Sequence, residues 1–176
     1  LTQFKPGSLI VFHRNIHSPE QISSLNQKIQ EISRSQVGLP ILLMVDQEGG
    51  TVTRVKTNPA PPSALALGMA DDTKLVREAG WITGKIISLL GFNMNLAPVM
   101  DLSDPYEGTF IGNRSFGHSP ERVKLFGEAY STGLADAGVI PTSKHFPGHG
   151  GVIADSHRSL PHKKDTLEQL ETRDLV

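Results

Sequence analysis

Residues 144–157 read Lys-His-Phe-Pro-Gly-His-Gly-Gly-Val-Ile-Ala-Asp-Ser-His, which places a lysine, three histidines and an aspartate within one short stretch. Pro147 and the glycines at 148, 150 and 151 forbid a regular helix there, so the stretch is expected to be a loop. Asp155 and His157 are two apart, and with Ser156 turned away their side chains can meet. A carboxylate that accepts from one imidazole nitrogen fixes the tautomer and raises the basicity of the other, the division of labour found in a Ser-His-Asp triad. Such a dyad can act as general acid and then general base near neutral pH. The same pair could equally make a local hydrogen bond that only steadies a surface loop. His145 and His149 are four apart, the spacing of a helical metal pair, but Pro147 and Gly148 remove the helix. No metal site and no cofactor are therefore expected, and His149 is expected to brace the loop through backbone.

The loop has to be held by the elements before it, and these repeat. Residues 8–12 (Ser-Leu-Ile-Val-Phe) are a β-rich apolar run that ends in His13-Arg14-Asn15. Ser18, Pro19 and Gln21 then give an N-cap, a first-turn proline and a capping box, and Ile22, Leu25, Ile29 and Ile32 form one helical stripe. Residues 41–45 are a second buried strand running into Asp46-Gln47-Glu48-Gly49-Gly50. A Pro-rich loop around residues 58–62 leads to a helix near 73–90 with Leu75, Ala79, Ile82, Ile86 and Leu89 inward, and Trp81 packing on a face. Residues 92–99 form a third strand with Asp101 at its exit. Ser119-Pro120 opens a helix with Val123, Phe126, Tyr130, Leu134 and Ala137 inward, and Val139–Ile140 feeds the loop. Asp165 and Glu168 supply a further capping box.

Strand and helix thus alternate four times, and continuous apolar strands argue a parallel sheet covered by helices. The polar residues follow several strand exits rather than one switch point, and no Gly-x-Gly-x-x-Gly or Walker-type loop follows any strand. This favours an α/β fold of (β/α)8 TIM-like barrel type over a doubly wound sheet. A barrel of this kind takes ~250 residues, so residues 1–176 are expected to be a partial (β/α) barrel catalytic domain, the N-terminal half to two-thirds of the whole. In such a barrel Asp46, Arg54, Asp101, Arg114, Lys144, His145, Asp155 and His157 share one mouth, with His13 and Arg14 at its edge. Arg54, Arg114 and Lys144 donate, Asp46 accepts, and the mixture suits sugar hydroxyls. Capping of its own loop is an equally open role for Asp101, which is left out of the substrate-binding set.

Composition excludes several alternatives. Lysine and arginine number 17 against 18 acids, a net charge of −1 with no long run of either sign. A nucleic-acid partner or a charged membrane surface has no electrostatic support. The absence of cysteine leaves no disulfide framework and fits the cytoplasm. No apolar stretch reaches the ~20 residues that span a bilayer. The first seven residues carry neither a basic start nor an apolar signal core, and the first is not Met, so the true N-terminus is expected to lie upstream.

Several stretches together resemble the glycoside hydrolase family 3 β-N-acetylglucosaminidases. They are Asp46-Gln47-Glu48-Gly49-Gly50 with Arg54, Asn95-Leu96-Ala97-Pro98-Val99-Met100-Asp101, Gly112-Asn113-Arg114-Ser115-Phe116-Gly117, and Lys144-His145-Phe146-Pro147-Gly148-His149-Gly150 with Asp155-Ser156-His157. The resemblance implies a (β/α)8-like barrel, no metal, and a retaining mechanism through a covalent glycosyl-enzyme, with His157 as acid/base oriented by Asp155. It implies that Asp46, Arg54, Arg114, Lys144 and His145 hold the sugar's hydroxyls and acetamido group, with N-acetylglucosamine-containing muropeptides as the expected substrate. The family nucleophile, an Asp on a later strand, has no counterpart here, so the C-terminal remainder is expected to supply it and to complete a monomer. A β-glucosidase or phosphorylase of the same family, or a sugar-binding fragment that does not hydrolyse, would use the same residues.

Overall fold

The computed structural model describes residues 3–104, 110–150, 160 and 162–175. In chain order its elements are β1 (Ser8–Val11), α1 (Pro19–Val37), β2 (Leu42–Val45), β3 (Gln47–Gly49), β4 (Val52–Thr53), α2 (Ala64–Ala70), α3 (Thr73–Leu89), β5 (Met94–Asn95), α4 (Pro120–Asp136), β6 (Ile140–Pro141) and α5 (Leu167–Arg173). Strands β1, β2, β5 and β6 form one parallel sheet in that spatial order. Each strand lies beside its predecessor with helices between, the arrangement of successive units in a (β/α) barrel.

Alternation along the strands divides the two faces. Leu9, Val11, Leu43 and Val45 point under the helices, with Ile22, Val76, Phe92, Phe126 and Leu134 filling the core. Their neighbours Ile10, Leu42 and Ile140 lie on the opposite face and are 37, 36 and 49% exposed. In a closed barrel that second face is the packed interior.

The helix starts follow the sequence signals. Ser18 accepts from the Gln21 amide, Ser119 from that of Arg122, and prolines open both helices. The α5 cap lies one residue beyond the expected one: Thr166 and Gln169 make the capping box.

The inward faces differ from expectation on two helices. On α3 the buried residues are Val76, Gly80, Thr83, Gly84 and Ile87, whereas Leu75, Ile82 and Leu89 are exposed. On α1 the buried set is Ile22, Asn26 and Ser33, with Leu25 and Ile32 at the margin. The reason on α3 is close helix packing. A Cβ on Gly80 would sit 2.3 Å from the Tyr130 carbonyl oxygen, and one on Gly133 would sit 2.0 Å from that of Arg77. Small residues let α3 and α4 meet backbone to backbone, and the larger apolar side chains are turned out. On α1, Asn26 is buried because its amide donates to the Leu90 carbonyl at 2.8 Å, and Ser33 because its hydroxyl donates to that of Leu39. Trp81 is likewise half-exposed, with the Lys85 ammonium over its ring.

Two further differences concern strands. The third strand, expected over 92–99, keeps ladder pairing only at Met94–Asn95, with an isolated bridge between Val99 and Lys144. Pro98 has no N–H to donate, the Asn95 side chain bridges the Gln47 backbone, and the Asn93 side chain adds bonds to Leu43 and Ile41 beside its backbone pairing with Leu43 and Ile140. The β3–β4 hairpin and α2 were not expected at all.

Replacing Gly133 with alanine should destabilise the protein by about 1–3 kcal/mol, although alanine is the better helix former by ~1 kcal/mol. Urea unfolding of the full-length protein measures this. A Leu89→Gln change on the exposed face should stay within about 0.5 kcal/mol.

Candidate active site at the strand exits

The polar residues that follow β2, β5 and β6 meet at one end of the sheet. The β3–β4 hairpin delivers the first group. Gln47, fully buried, donates from its amide to the Val55 carbonyl, and its side-chain oxygen accepts from the Arg54 and Val55 amides. The Asn95 side chain bridges the Gln47 N–H and C=O at 3.0 and 2.9 Å, so the hairpin is stitched to β5. Gly49, at φ 95°, turns where a Cβ would be 2.1 Å from the Pro62 carbonyl oxygen. The turn thereby fixes Asp46 and Glu48 on one side and Arg54 on the other.

A short 3-10 turn at Gly112–Arg114 delivers Arg114, and Thr51 donates to the Asn113 side chain across the gap to the hairpin. Lys144 and His145 follow β6, which is tied to the β5 exit by hydrogen bonds from the Met100 amide to the Lys144 carbonyl and from the Lys144 amide to that of Pro98. Asp101 is held in turn by its own carbonyl, which accepts from the buried Ser115 hydroxyl at 2.6 Å.

The resulting side chains form a ladder of alternating charge. Arg54 Nη2 lies 3.7 Å from Asp46, and Lys144 Nζ lies 2.8 Å from Asp46 Oδ1 and 2.5 Å from Glu48 Oε1. Arg114 grips Glu48 with two parallel donors at 2.8 and 2.9 Å, the strong bidentate form of a charge-assisted pair. The same guanidinium reaches His145 Nε2 at 3.4 Å, and His145 Nδ1 lies 2.6 Å from Asp101 Oδ2. The other Asp101 oxygen accepts from the His149 backbone N–H. All of these groups but Asp101, which lies behind His145, surround a hollow of about 550 Å³, lined also by Phe12, Thr51, Val52, Phe110 and His149. Glu48 and Asp101 are the buried members, and Arg54 Nε has no hydrogen-bond partner among the described residues.

Electrostatics follow the geometry. Burial works to raise the Asp101 carboxyl, but hydrogen bonds from His145 and the His149 amide outweigh it and hold the group below its ordinary range. Burial likewise works against the Arg114 charge, and the Glu48 carboxylate more than restores it. Tyr130, fully buried beside this floor, is pushed up to about 12 by burial, against a hydrogen bond with Thr83.

Asp46, Arg54, Arg114, Lys144 and His145 are therefore brought together as expected. Asp155 and His157 lie outside the described residues. Asp101 lies at this mouth as the barrel reading placed it, and of its two open roles the structure shows the partner of His145, a role that its omission from the substrate-binding set had missed. Glu48 was passed over inside its motif, and the signal that could have found it is an acid alternating with Asp46 on a turn facing three distant cations. His149 is tied to the Asp101 carboxylate by its own backbone N–H, and its ring lies edge-on to that of His145 at 5.7 Å. His13 is near the mouth, with Nδ1 3.4 Å from the Arg54 carbonyl. Among the described residues no group of three or more histidine, aspartate and glutamate side chains converges as metal ligands.

A parallel barrel-type sheet with a neutral, hydrogen-bonding hollow at its strand exits defines a class of small-molecule site suited to sugars. The chain belongs to glycosyl hydrolase family 3: the model of that family's N-terminal domain matches residues 1–176. It is 37% identical over 174 residues to a beta-hexosaminidase of Methylococcus capsulatus, covering 97% of this chain and 50% of that protein. Among solved structures it resembles a family 3 beta-N-acetylglucosaminidase from Paenibacillus (TM-score 0.92, 40% identity, 99% of this chain and 33% of that one). It also resembles NagZ from Neisseria gonorrhoeae in complex with N-trifluoroacetyl-D-glucosamine (TM-score 0.86, 33% identity, 97% and 51%). The chain thus spans about half the length of the curated relatives it matches.

Two expectations follow. Glu48→Gln leaves the Arg114 and Lys144 cations short of a partner and should cost about 3–5 kcal/mol, the usual loss when one half of a buried pair is removed. Arg54→Ala, at a longer and more open contact, should cost under about 1 kcal/mol by the same urea unfolding.

The second concerns pH. Because the folded Asp101 carboxyl titrates below its unfolded value of ~3.9, its ionisation stabilises the fold above that range. The contribution disappears as pH falls through the ordinary value toward the lowered one. The stability gap between wild type and Asp101→Asn, measured by denaturant unfolding, should therefore be widest at pH 6 and narrow below pH ~4.

Proposed function

We propose that this chain is the N-terminal part of a retaining β-N-acetylglucosaminidase, a partial barrel domain whose C-terminal remainder supplies the nucleophile. The observation that carries this is the convergence of Asp46, Arg54, Arg114, Lys144 and His145 around one hollow in a chain of family 3. Its volume accommodates a single sugar ring. The name of the Methylococcus relative and the glucosamine derivative held by the gonococcal protein support the same substrate class. The exposed second face of the sheet, carrying Ile10, Leu42 and Ile140, supports a longer protein whose remaining strands cover it.

In this reading the five side chains hold the hydroxyls and acetamido group of a terminal N-acetylglucosamine. His157, oriented by Asp155, protonates the leaving oxygen as the nucleophile attacks the anomeric carbon, then takes a proton from the water that releases the sugar with retained configuration. Retaining glycosidases ordinarily use two carboxyl groups for these roles. An imidazole suits both half-reactions because its unperturbed pKa of ~6.5 lies near the working pH, whereas a carboxylic acid must be raised to it. Muropeptides carrying non-reducing N-acetylglucosamine are the proposed natural substrate.

The full-length protein should hydrolyse an aryl N-acetylglucosaminide in preference to the aryl glucoside, at a rate phosphate does not raise, and should release N-acetylglucosamine from muropeptides. His157→Ala should lower turnover by about 10²–10⁴ on a substrate with a poor leaving group. Preference for the glucoside would overturn the substrate, phosphate dependence would overturn hydrolysis, and an undiminished rate would remove His157 from the mechanism.

A further inference from the structure

The hydrogen bonds around His145 assign it a specific chemical form. Its ring stands between the buried Asp101 and the hollow, and the two nitrogens meet opposite demands. Nδ1 faces Asp101 Oδ2 at 2.6 Å, and an ionised carboxylate only accepts. Nε2 faces the Arg114 guanidinium at 3.4 Å, and a guanidinium only donates. Both contacts require a neutral ring with its proton on Nδ1 and its lone pair on Nε2. Asp101 is itself fixed at both ends, by the His149 N–H on Oδ1 and by the Ser115 hydroxyl on its carbonyl.

We propose that Asp101 is a positioning residue that holds His145 in the Nδ1–H tautomer, so that Nε2 presents a hydrogen-bond acceptor to a substrate hydroxyl. The inference rests on the carbohydrate reading of the hollow and adds to it a requirement on the ligand. Arg114 holds Glu48 through Nε and Nη2 at 2.8 and 2.9 Å, whereas its Nη2 contact with His145 is long at 3.4 Å, so a hydroxyl can displace it. An acceptor at this point favours a sugar that keeps a free hydroxyl there over one carrying fluorine or a methyl ether. Lys144 and Arg114 offer only donors, and the Asp46 and Glu48 carboxylates already hold cations, so His145 adds an acceptor that no ion pair occupies.

Asp101→Asn separates this role from simple packing. The His149 N–H still needs an acceptor, so the asparagine oxygen stays on it and the new NH2 is turned to His145 Nδ1. That NH2 donates, which forces the lone pair onto Nδ1 and the proton onto Nε2. Full-length protein labelled with 15N-histidine, with His145→Gln to assign the signals, should show protonated Nδ1 in wild type and protonated Nε2 in Asp101→Asn. KM for the aryl N-acetylglucosaminide should rise about tenfold or more with a smaller change in kcat. A wild-type His145 protonated on Nε2 would overturn the proposal, as would an unchanged tautomer and KM in Asp101→Asn. Should that variant not fold, the wild-type tautomer decides alone. The spectrum needs no substrate, so an enzyme inactive on aminosugars would refute the glycosidase reading while leaving the tautomer assignment measurable.

Discussion

The shared carboxylate of Glu48 is the constraint on which the strand-exit cluster depends. One buried acid takes two donors from Arg114 and one from Lys144, residues far downstream in sequence that arrive from the β5 and β6 connections. Burying a charge is costly unless it is paired and hydrogen-bonded. Removing Glu48 would leave Arg114 without its carboxylate, and removing either cation would leave the buried acid with fewer donors, so arrangements of the loops that bring the three together are favoured. That is how irregular loops, with little regular structure of their own, hold side chains to within hydrogen-bond geometry.

The frame beneath supplies the same economy in neutral form. Gln47 and Asn95 satisfy backbone groups with side-chain amides at the C-terminal ends of β2 and β5. Such bonds let a strand end turn away from the sheet without stranding buried backbone groups. The hairpin therefore lies across the exits rather than continuing the strand, and this is what points Asp46 and Glu48 into the hollow.

Much of this was legible in the sequence, for identifiable reasons. The parallel sheet was visible because each strand is a short apolar run closed by polar residues, and the α4 stripe because Val123, Phe126, Tyr130 and Leu134 are both large and buried. The α3 face was not, because periodicity weighs large apolar residues and the contact there is made by glycines. Glycines disclose a close approach only when the facing backbone is known. Asp101 and Glu48 escaped for a related reason: each acts through a partner more than forty positions away, and spacing along a chain carries no trace of such a pair.

The balance of charge around the hollow bears on what can enter it. Asp46 and Glu48 face Arg54, Arg114 and Lys144 across it, with Asp101 behind His145, so the described carboxylates and cations number three of each sign. A site with no net charge among its described groups draws no ligand by its field. Selection must come from the direction of individual donors and acceptors, each held by a partner behind it. A neutral, hydroxyl-rich ring meets that demand, because every group it offers can donate or accept. An anion would have to take cations from carboxylates that already hold them at 2.5–2.9 Å, at the cost of leaving those acids buried and unpaired.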